Sequence, residues 1–565
     1  MNPLTQLKPQ KRKERSSHRR ALRPLGFSAH SMRETSLDVR ASPGFVKGTA
    51  HWRKRSAVLF VLVLGLALWV RLHDLGRLSL WLDEGTTTYK MEFSLSELFR
   101  YTLVDNVPPL YYLALHMVSP WIHSDFSLRL PSALIGIATI PVLFLIAESL
   151  FNRRVALLSS LFLCLSTFHV WFSQEARSYS LYCLLYGLSL LFLVKWSRNP
   201  SSRWSLCLYV GATSLMMYSH STALMYWGTN QILFLLLCDW RDNKKIRAWL
   251  VAQVLVAVLF LPWLSSFRNQ SANYRQRVAS GPLDYGPGIL IETLMELTSM
   301  APLISNEATK VLGYTEHVPE LLNLSWFLGF AGPLAMLLLL WERALWRHYL
   351  VAASLVIVPL LAVTLFSIWV VNVYIDRLFL PSTLGVALLL ALGTQNVFEL
   401  SSSQNPKAWV SIGFFLLILA HLTLSLASYY RLERKEDFRS AAAYVVQQYK
   451  AGDLLVFVTY SAETLFNWYH PEQVGRIRRT GIPRSFLNPP NQPDAFVIRT
   501  SEDISSLRGL AASAQRIWLV RLRTQYHDPQ ELTSRWLGEH CQKDEAREFQ
   551  GVSVDLFGGC GTVLP

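Results

Sequence analysis

Apolar residues in this chain gather in long runs, parted by short segments rich in lysine and arginine. A helix that crosses a bilayer needs about 20 predominantly apolar residues. Candidate spans fall near 56–72, 129–150, 155–171, 179–196, 204–220, 222–238, 248–265, 323–341, 348–370, 378–395 and 408–428, about eleven in all. The pair divided at Ser219–Ser221 is nearly continuous, so its boundary is either a tight turn or no boundary. One apolar and aromatic stretch, Leu110–Ile122, follows Pro108-Pro109, is broken by His116 and Pro120, and runs only ~13 residues, too few to cross. It reads as a helix lying in the membrane interface.

The basic residues test that choice. With Leu110–Ile122 left at the interface, Arg153/Arg154, Arg198/Arg203, Arg241/Lys244/Lys245/Arg247, Arg343/Arg347 and Lys407 all fall on the side of the basic N-terminus, as the positive-inside rule requires. Counting it as a span would put every one of these clusters outside. An odd number of spans then leaves residues 429–565 outside. That polar region contains a helix, Asp437–Gln448, and a strand within Gly452–Tyr460, which suits a small α/β domain. The expected fold class is an all-α polytopic membrane protein with a small C-terminal α/β extracytoplasmic domain. Residues 1–55 form a tail and 56–428 the membrane domain, whose outer loops lie at 73–128 and 172–178. No internal repeat of the transporter kind is visible.

Composition agrees with this class. Of 565 residues, 51% are hydrophobic and only 16% charged, against about 25% charged in ordinary soluble chains. The net charge of +15 is concentrated: residues 1–55 hold fourteen Lys/Arg against three acids, so eleven of the fifteen excess positive charges sit there. A basic tail can bind nucleic acid, but this one abuts an apolar run at Arg53-Lys54-Arg55, and cytoplasmic retention explains it more simply. No nucleic-acid partner is expected. The tail is Ser/Arg-rich and has the composition of a disordered segment. Cys164, Cys183, Cys207 and Cys238 lie in apolar runs and read as small hydrophobes. Cys541 and Cys560 lie in the C-terminal region, where an extracytoplasmic location allows a disulfide without requiring one. No CxxC or HExxH spacing marks a dedicated metal site.

On this topology the outer ends collect a small set of ionisable residues. Asp83 and Glu84 sit in Ser79-Leu-Trp-Leu-Asp-Glu just past the first span. A carboxylate against an apolar, aromatic boundary is partly desolvated and becomes a better proton acceptor. Solvated acids at a helix N-terminus would look the same. Glu175 and Arg177 lie between two long spans. They form either a surface ion pair of little worth or the lining of a polar cavity in which arginine grips phosphate. Arg377 departs from the charge rule that the other loops obey, so a functional role stands level with a snorkelling one. His220 ends a span, and His116 lies in the interfacial helix. A base, a cation cluster and an apolar belt near one depth suit a lipid-linked phosphosugar.

The motifs carrying these residues resemble those of the GT-C superfamily of membrane glycosyltransferases, in the glycosyltransferase family 39-like branch related to protein O-mannosyltransferases and lipid A aminoarabinose transferases. The matching stretches are Ser79-Leu-Trp-Leu-Asp-Glu, Pro108-Pro-Leu-Tyr-Tyr-Leu, Leu128-Arg-Leu-Pro-Ser, Trp171-Phe-Ser-Gln-Glu-Ala-Arg-Ser-Tyr, Tyr218-Ser-His, Leu261-Pro-Trp-Leu, Asp376-Arg-Leu-Phe-Leu-Pro and Lys435-Glu-Asp-Phe-Arg, in the expected order. The resemblance spans about residues 56–460. It departs at Arg377-Leu378, where relatives often carry Arg-Tyr, and in the long N-terminus.

The resemblance implies a GT-C fold and inverting transfer of a sugar from a polyprenyl-phosphate donor to an extracytoplasmic lipid, glycan or protein. It implies that Asp83 is base or orienter, with Glu84 completing a catalytic pair. It matches Arg177 and Arg377 to the donor phosphate; Glu175, Tyr179, His220 and His116 are expected on the donor side with them. Glu175 falls where some relatives place a metal-linked carboxylate, so a divalent cation is admitted as cofactor. The expected location is a cell membrane, plasma or inner, with a cytoplasmic N-terminus. Two other readings remain: a transporter or flippase of lipid-linked sugars, and a membrane receptor whose C-terminal domain binds a partner.

Overall fold

The computed structural model describes residues 50–104, 107–238, 242–278, 288–298, 346–370, 373–399, 406–431, 435–482, 498 and 500–560. The tail to residue 49 and the span expected at 323–341 lie outside these residues. The first eleven helices are α1 (Ala50–Leu72), α2 (Leu82–Met91), α3 (Leu95–Val104), α4 (Leu110–Val118), α5 (Asp125–Leu150), α6 (Arg153–Leu165), α7 (Thr167–Ser173), α8 (Tyr179–Arg198), α9 (Arg203–Met217), α10 (Ala223–Leu237) and α11 (Asn243–Val278). Among the described residues, seven helices are long and apolar enough to span a bilayer: α1, α5, α8, α11, Trp346–Trp369, Asp376–Phe398 and Ala408–Arg431.

The expected runs that fall on described residues map onto these helices. The run at 155–171 is two helices, α6 and α7, bent by 61° and together able to make an eighth crossing. The runs at 204–220 and 222–238 are α9 and α10, each of only 15 residues. A turn at Tyr218–Thr222 does separate them. Leu110–Ile122 forms the nine-residue α4 followed by a single 3-10 turn. Hydrophobic runs record apolarity but not the backbone break at Ser166, which bends the run at 155–171 without removing it as one crossing.

Breaking a helix inside an apolar layer frees carbonyls that lipid cannot satisfy. Arg71, fully buried at the end of α1, supplies the donors. Its guanidinium donates to Leu163 O and Cys164 O, both at 3.1 Å, and lies 3.0 Å from His169 Nδ1. The bent segment also runs tightly against α5, since a Cβ at Gly136 would strike Ser173 Oγ. Gln174 then locks the following turn: it donates to Arg71 O and His73 O at 3.1 and 2.9 Å, and accepts from Tyr429 at 2.7 Å.

The helices share two common ends. At one, Trp52 packs edge-on against Phe398 and Asn152 bonds Gln395, which places Arg153 and Arg154 beside the Arg53–Arg55 flank. At the other lie Arg71, α2, the turn at 174–178 and Arg377.

The C-terminal region folds as a five-stranded sheet of β1 (Leu454–Val458), β2 (Arg479–Ile482), β3 (Arg516–Leu522), β4 (Gln542–Phe549) and β5 (Val552–Gly558), in the order β2-β1-β3-β5-β4. β1 lies parallel to β2 and β3, while β5 is antiparallel to β3 and β4. The helix Phe438–Gln448 precedes it, capped by Asp437. Alternation along β1 sends Leu454, Val456 and Val458 to one face and Leu455 and Phe457 to the other. The first face packs with Leu507 and Leu537 and carries the Cys541–Cys560 disulfide. The second packs with Leu80, Leu82, Tyr111 and Tyr112 of the first long loop. Sheet and loop therefore share one core. At their contact a Cβ on Gly85 would come within 2.8 Å of Leu465, and Thr464 donates to Gly85 O at 2.9 Å. Asp125, at the head of α5, adds polar ties by accepting from Trp468, Tyr469 and Arg439.

Candidate active site

α2 starts after Trp81, whose backbone is extended, and carries Asp83 and Glu84 in its first turn. Consecutive helical residues point about 100° apart, so the two carboxylates enter different surroundings.

Asp83 faces a cationic cluster. Arg377 Nη1 lies 3.2 Å from Asp83 Oδ2, and Arg177 Nη2 lies 4.0 Å from the same oxygen. Arg177 Nη1 also donates to Asp83 O and Thr86 Oγ1, both at 3.1 Å. Burial pushes the Asp83 pKa up, but the charges of Arg177, then Arg377, Arg523 and Lys90, outweigh it and hold the group below the usual aspartate range. Asp83 is thus ionised at neutral pH. Its side chain is still 29% exposed, so the cluster is reachable from outside.

Arg377 stands in the 3-10 turn Asp376–Ser382, where its backbone N–H donates to Asp376 Oδ1 at 2.7 Å. Its guanidinium carbon lies 5.8 Å from the Tyr179 ring centre. Tyr179 faces His220 at 5.7 Å, and His220 stacks on Tyr182 at 5.0 Å. His220 Nδ1 is 2.9 Å from Thr222 Oγ1. An aromatic wall therefore backs the arginines, and His220 belongs to it.

Glu84 is closed off. It is fully buried, and both its oxygens are occupied. Arg129 donates to Oε1 from Nε at 2.8 Å and to Oε2 from Nη2 at 2.7 Å. Lys435 Nζ donates to Oε2 at 2.9 Å, and the Ala176 N–H to Oε1 at 3.0 Å. Burial raises its pKa, yet Arg129 and Lys435 win and hold it far below the ordinary glutamate range. Arg129 spends its other donors on Leu75 O, Leu78 O and Ser79 O. The expected catalytic pairing of Glu84 with Asp83 does not fit this arrangement. A carboxylate with four donors on two buried oxygens is a joint between α2, α5, the 174–178 turn and the C-terminal region.

Glu175 is buried beside that joint. Its Oε1 accepts from Trp171 Nε1 at 2.6 Å and lies 3.9 Å from Lys435 Nζ, while Oε2 has no partner among the described residues. Burial raises its pKa; Lys435 only partly offsets this, and the charges on Glu84 and Asp83 add to it. Among the described residues no group of three His, Cys, Asp or Glu could hold a metal ion. The cation beside Glu175 is the Lys435 ammonium, and the metal role expected for Glu175 has no ligand set among the described residues. His116 lies on α4, and its buried Nδ1 is without a partner among the described residues.

Several residues escaped sequence reasoning. Arg129 and Lys435 lie in Leu128-Arg-Leu-Pro-Ser and Lys435-Glu-Asp-Phe-Arg, whose spacing carries no link to Glu84. Lys90, 3.8 Å over the Tyr112 ring, and Arg523, which bonds Glu436 at 2.6 Å and lies 5.0 Å over the Trp81 ring, were not singled out.

Residues 106–265 match the family model for dolichyl-phosphate-mannose-protein mannosyltransferase, a segment that contains Glu175, Arg177 and His220 but neither Asp83 nor Arg377. No curated protein sequence matches the chain. Among solved structures, ArnT from Cupriavidus metallidurans in the apo state is similar at 14% identity and a TM-score of 0.50, over 90% of this chain and 100% of that one. The same protein bound to undecaprenyl phosphate gives 14% and 0.50 over 88% and 97%. The Archaeoglobus fulgidus oligosaccharyltransferase tethered with an acceptor peptide gives 12% and 0.51 over 89% and 74%. At such identities the likeness is one of fold. The chain has the fold of the GT-C membrane glycosyltransferases, as its motifs implied.

Proposed function

We propose that this protein is an inverting glycosyltransferase that moves a sugar from a polyprenyl-phosphate donor to an acceptor at the membrane face bearing Asp83. On the charge distribution that face is extracytoplasmic, the N-terminus is cytoplasmic, and the protein resides in a cell membrane. The observation that carries the reading is the pairing of one accessible carboxylate, Asp83, with two guanidinium groups, Arg177 and Arg377, where apolar spans end. A similar fold bound to undecaprenyl phosphate supports a lipid-phosphate donor.

The chemistry is a single displacement. Asp83 takes a proton from the acceptor hydroxyl or amine as that group's lone pair attacks the anomeric carbon. The bond from that carbon to the phosphate oxygen breaks with inversion, and the phosphate carries the electron pair away. Arg177 and Arg377 stabilise the charge gathering on the leaving group. The same arginines that hold Asp83 at low basicity are those the donor phosphate recruits. As they turn to phosphate, the Asp83 pKa rises toward its ordinary value, and its strength as a base grows when it is needed.

Asp83→Asn tests this. Transfer should fall by about 10²–10⁴-fold while the thermal unfolding midpoint stays close to that of the unaltered protein. Retained turnover in a purified lipid-donor assay would remove Asp83 from the mechanism. Release of free polyprenyl phosphate separates the enzyme from a flippase, which moves the donor intact.

A further inference from the structure

We propose that Arg523, contributed by the C-terminal sheet region, is a third anion-binding guanidinium of the Asp83 site and engages the phosphate of a substrate head group. The proposal rests on the glycosyltransferase reading for the identity of that substrate, and on the geometry of Arg523 for the site itself.

Arg523 follows β3 with φ at +46°, a left-handed backbone that arginine adopts only when its surroundings impose it. Two contacts then fix the side chain. Nε donates to Glu436 Oε1 at 2.6 Å, and the guanidinium carbon lies 5.0 Å from the ring of Trp81, two residues before Asp83. These contacts use one edge and one face of the group. Nη1 and Nη2 make no hydrogen bond among the described residues, and the side chain keeps 21% exposure. The two nitrogens that could form a fork to phosphate are the two that the protein leaves open.

The local charge points the same way. Arg177, Arg377, Arg523 and Lys90 all act on Asp83. The other carboxylates facing them are Asp376, beside Arg377, and Glu436, beside Arg523. The neighbouring Glu175 is biased by burial toward its neutral form. Cations outnumber carboxylates, and Arg377 and Arg523 repel each other until an anion comes between them. The adjacent Lys435 holds Glu84 while Glu436 holds Arg523, so one dipeptide beyond the last long helix couples the buried joint to the open guanidinium.

The competing account makes Arg523 a strut whose pair with Glu436 ties the sheet to the membrane domain. The two accounts differ in sign at Glu436. As a strut, Arg523→Gln and Glu436→Gln do the same damage. As an anion site, Glu436→Gln removes a competitor for the guanidinium and leaves phosphate binding unchanged or tighter, whereas Arg523→Gln weakens it. The test uses the full chain in lipid nanodiscs, with undecaprenyl phosphate as the first probe and its thermal unfolding midpoint as a fold control. If the phosphate belongs to the donor, Arg523→Gln should weaken that lipid's binding about tenfold or more. If it belongs to the acceptor, lipid binding is unchanged, and inorganic phosphate titrated onto the lipid-saturated protein loses the same factor.

Unchanged binding of both probes in Arg523→Gln overturns the proposal. If that variant does not fold, Glu436→Gln decides alone: weakened phosphate binding overturns the proposal, and unchanged or tighter binding supports it. Failure of the glycosyltransferase reading looks different, because the unaltered protein would then release no polyprenyl phosphate while the binding results stand.

Discussion

Asp83 and Glu84 are neighbours in sequence and share a helical turn, yet the molecule uses them in opposite ways. Asp83 keeps access to solvent and meets its arginines at 3.2 and 4.0 Å. Glu84 has none and is gripped by Arg129 and Lys435 at 2.7 to 2.9 Å. Both are held ionised, Asp83 by cations that a phosphate can draw away and Glu84 by cations committed elsewhere in the fold. A carboxylate that must change its protonation state needs partners that can leave. One that fixes geometry needs partners that cannot. The buried joint thus ties α2 to the 174–178 turn, and the open cluster lies between them, where the proposed transfer would take place.

The largest expected difference is between Asp83→Asn and Glu84→Gln. The first should cost turnover, by the factor given above, with the fold intact. The second leaves Arg129 and Lys435 buried without their common counter-ion, at about 3–5 kcal/mol. It should lower the thermal unfolding midpoint sharply, and any loss of activity should follow the loss of folded protein. A Glu84→Gln protein that unfolds normally but turns over no substrate would return Glu84 to the catalytic pair. The pH dependence has the same logic. The Glu84 pKa is depressed in the fold, so its contribution to stability is present above the ordinary glutamate pKa and is lost only as pH falls through the lower folded value.

The second contrast sharpens the electrostatic side. Arg377→Gln removes the shorter of the two contacts to Asp83 Oδ2. Donor binding should weaken by about ten- to a hundredfold, the worth of a hydrogen bond to a charged group. The acid limb of kcat/KM should also move, since it reports the ionisation of the free enzyme. In the unaltered protein that limb should lie below the ordinary aspartate value, since the Asp83 pKa is lowered. With Arg377 gone the Asp83 pKa rises, and the limb shifts to higher pH. A limb that stays in place would mean that some other group sets it.

Much of the open cluster was legible in the sequence, and the buried joint was not. Asp83, Arg177 and Arg377 announced themselves as charges at the wrong depth for lipid, a signal that survives reduction to one dimension. Glu84 gave the same signal, but its role is set by Arg129 and Lys435, which lie 45 and 351 residues away. Which way each of two adjacent carboxylates turns depends on the helix phase, not on composition. The bend inside 155–171 was hidden for a related reason: apolarity extends through Ser166, while the straight helix does not. The strand at Leu454–Val458 was visible because five consecutive buried apolar residues leave little else to form. Arg523 carried no signal, since its place depends on a sheet closing over the first loop.

The smallest expected effect concerns the link between the two regions. Thr87 Oγ1 donates to Ala176 O at 2.9 Å in a buried setting, while the Ala176 N–H donates to Glu84. The residue before Arg177 is thus held from both its backbone groups, once by the joint and once by α2. Thr87→Val keeps the shape and removes one donor, at a cost of about 1 kcal/mol. The turn should stay in place because Glu84 still holds it, but Arg177 should lose some of its alignment. The expected result is a fall of several-fold in kcat/KM for the donor with a shift of only a few degrees in the unfolding midpoint. If Thr87→Val instead destabilises as strongly as Glu84→Gln, the hydroxyl belongs to the joint, and the boundary drawn between the two carboxylates lies in the wrong place.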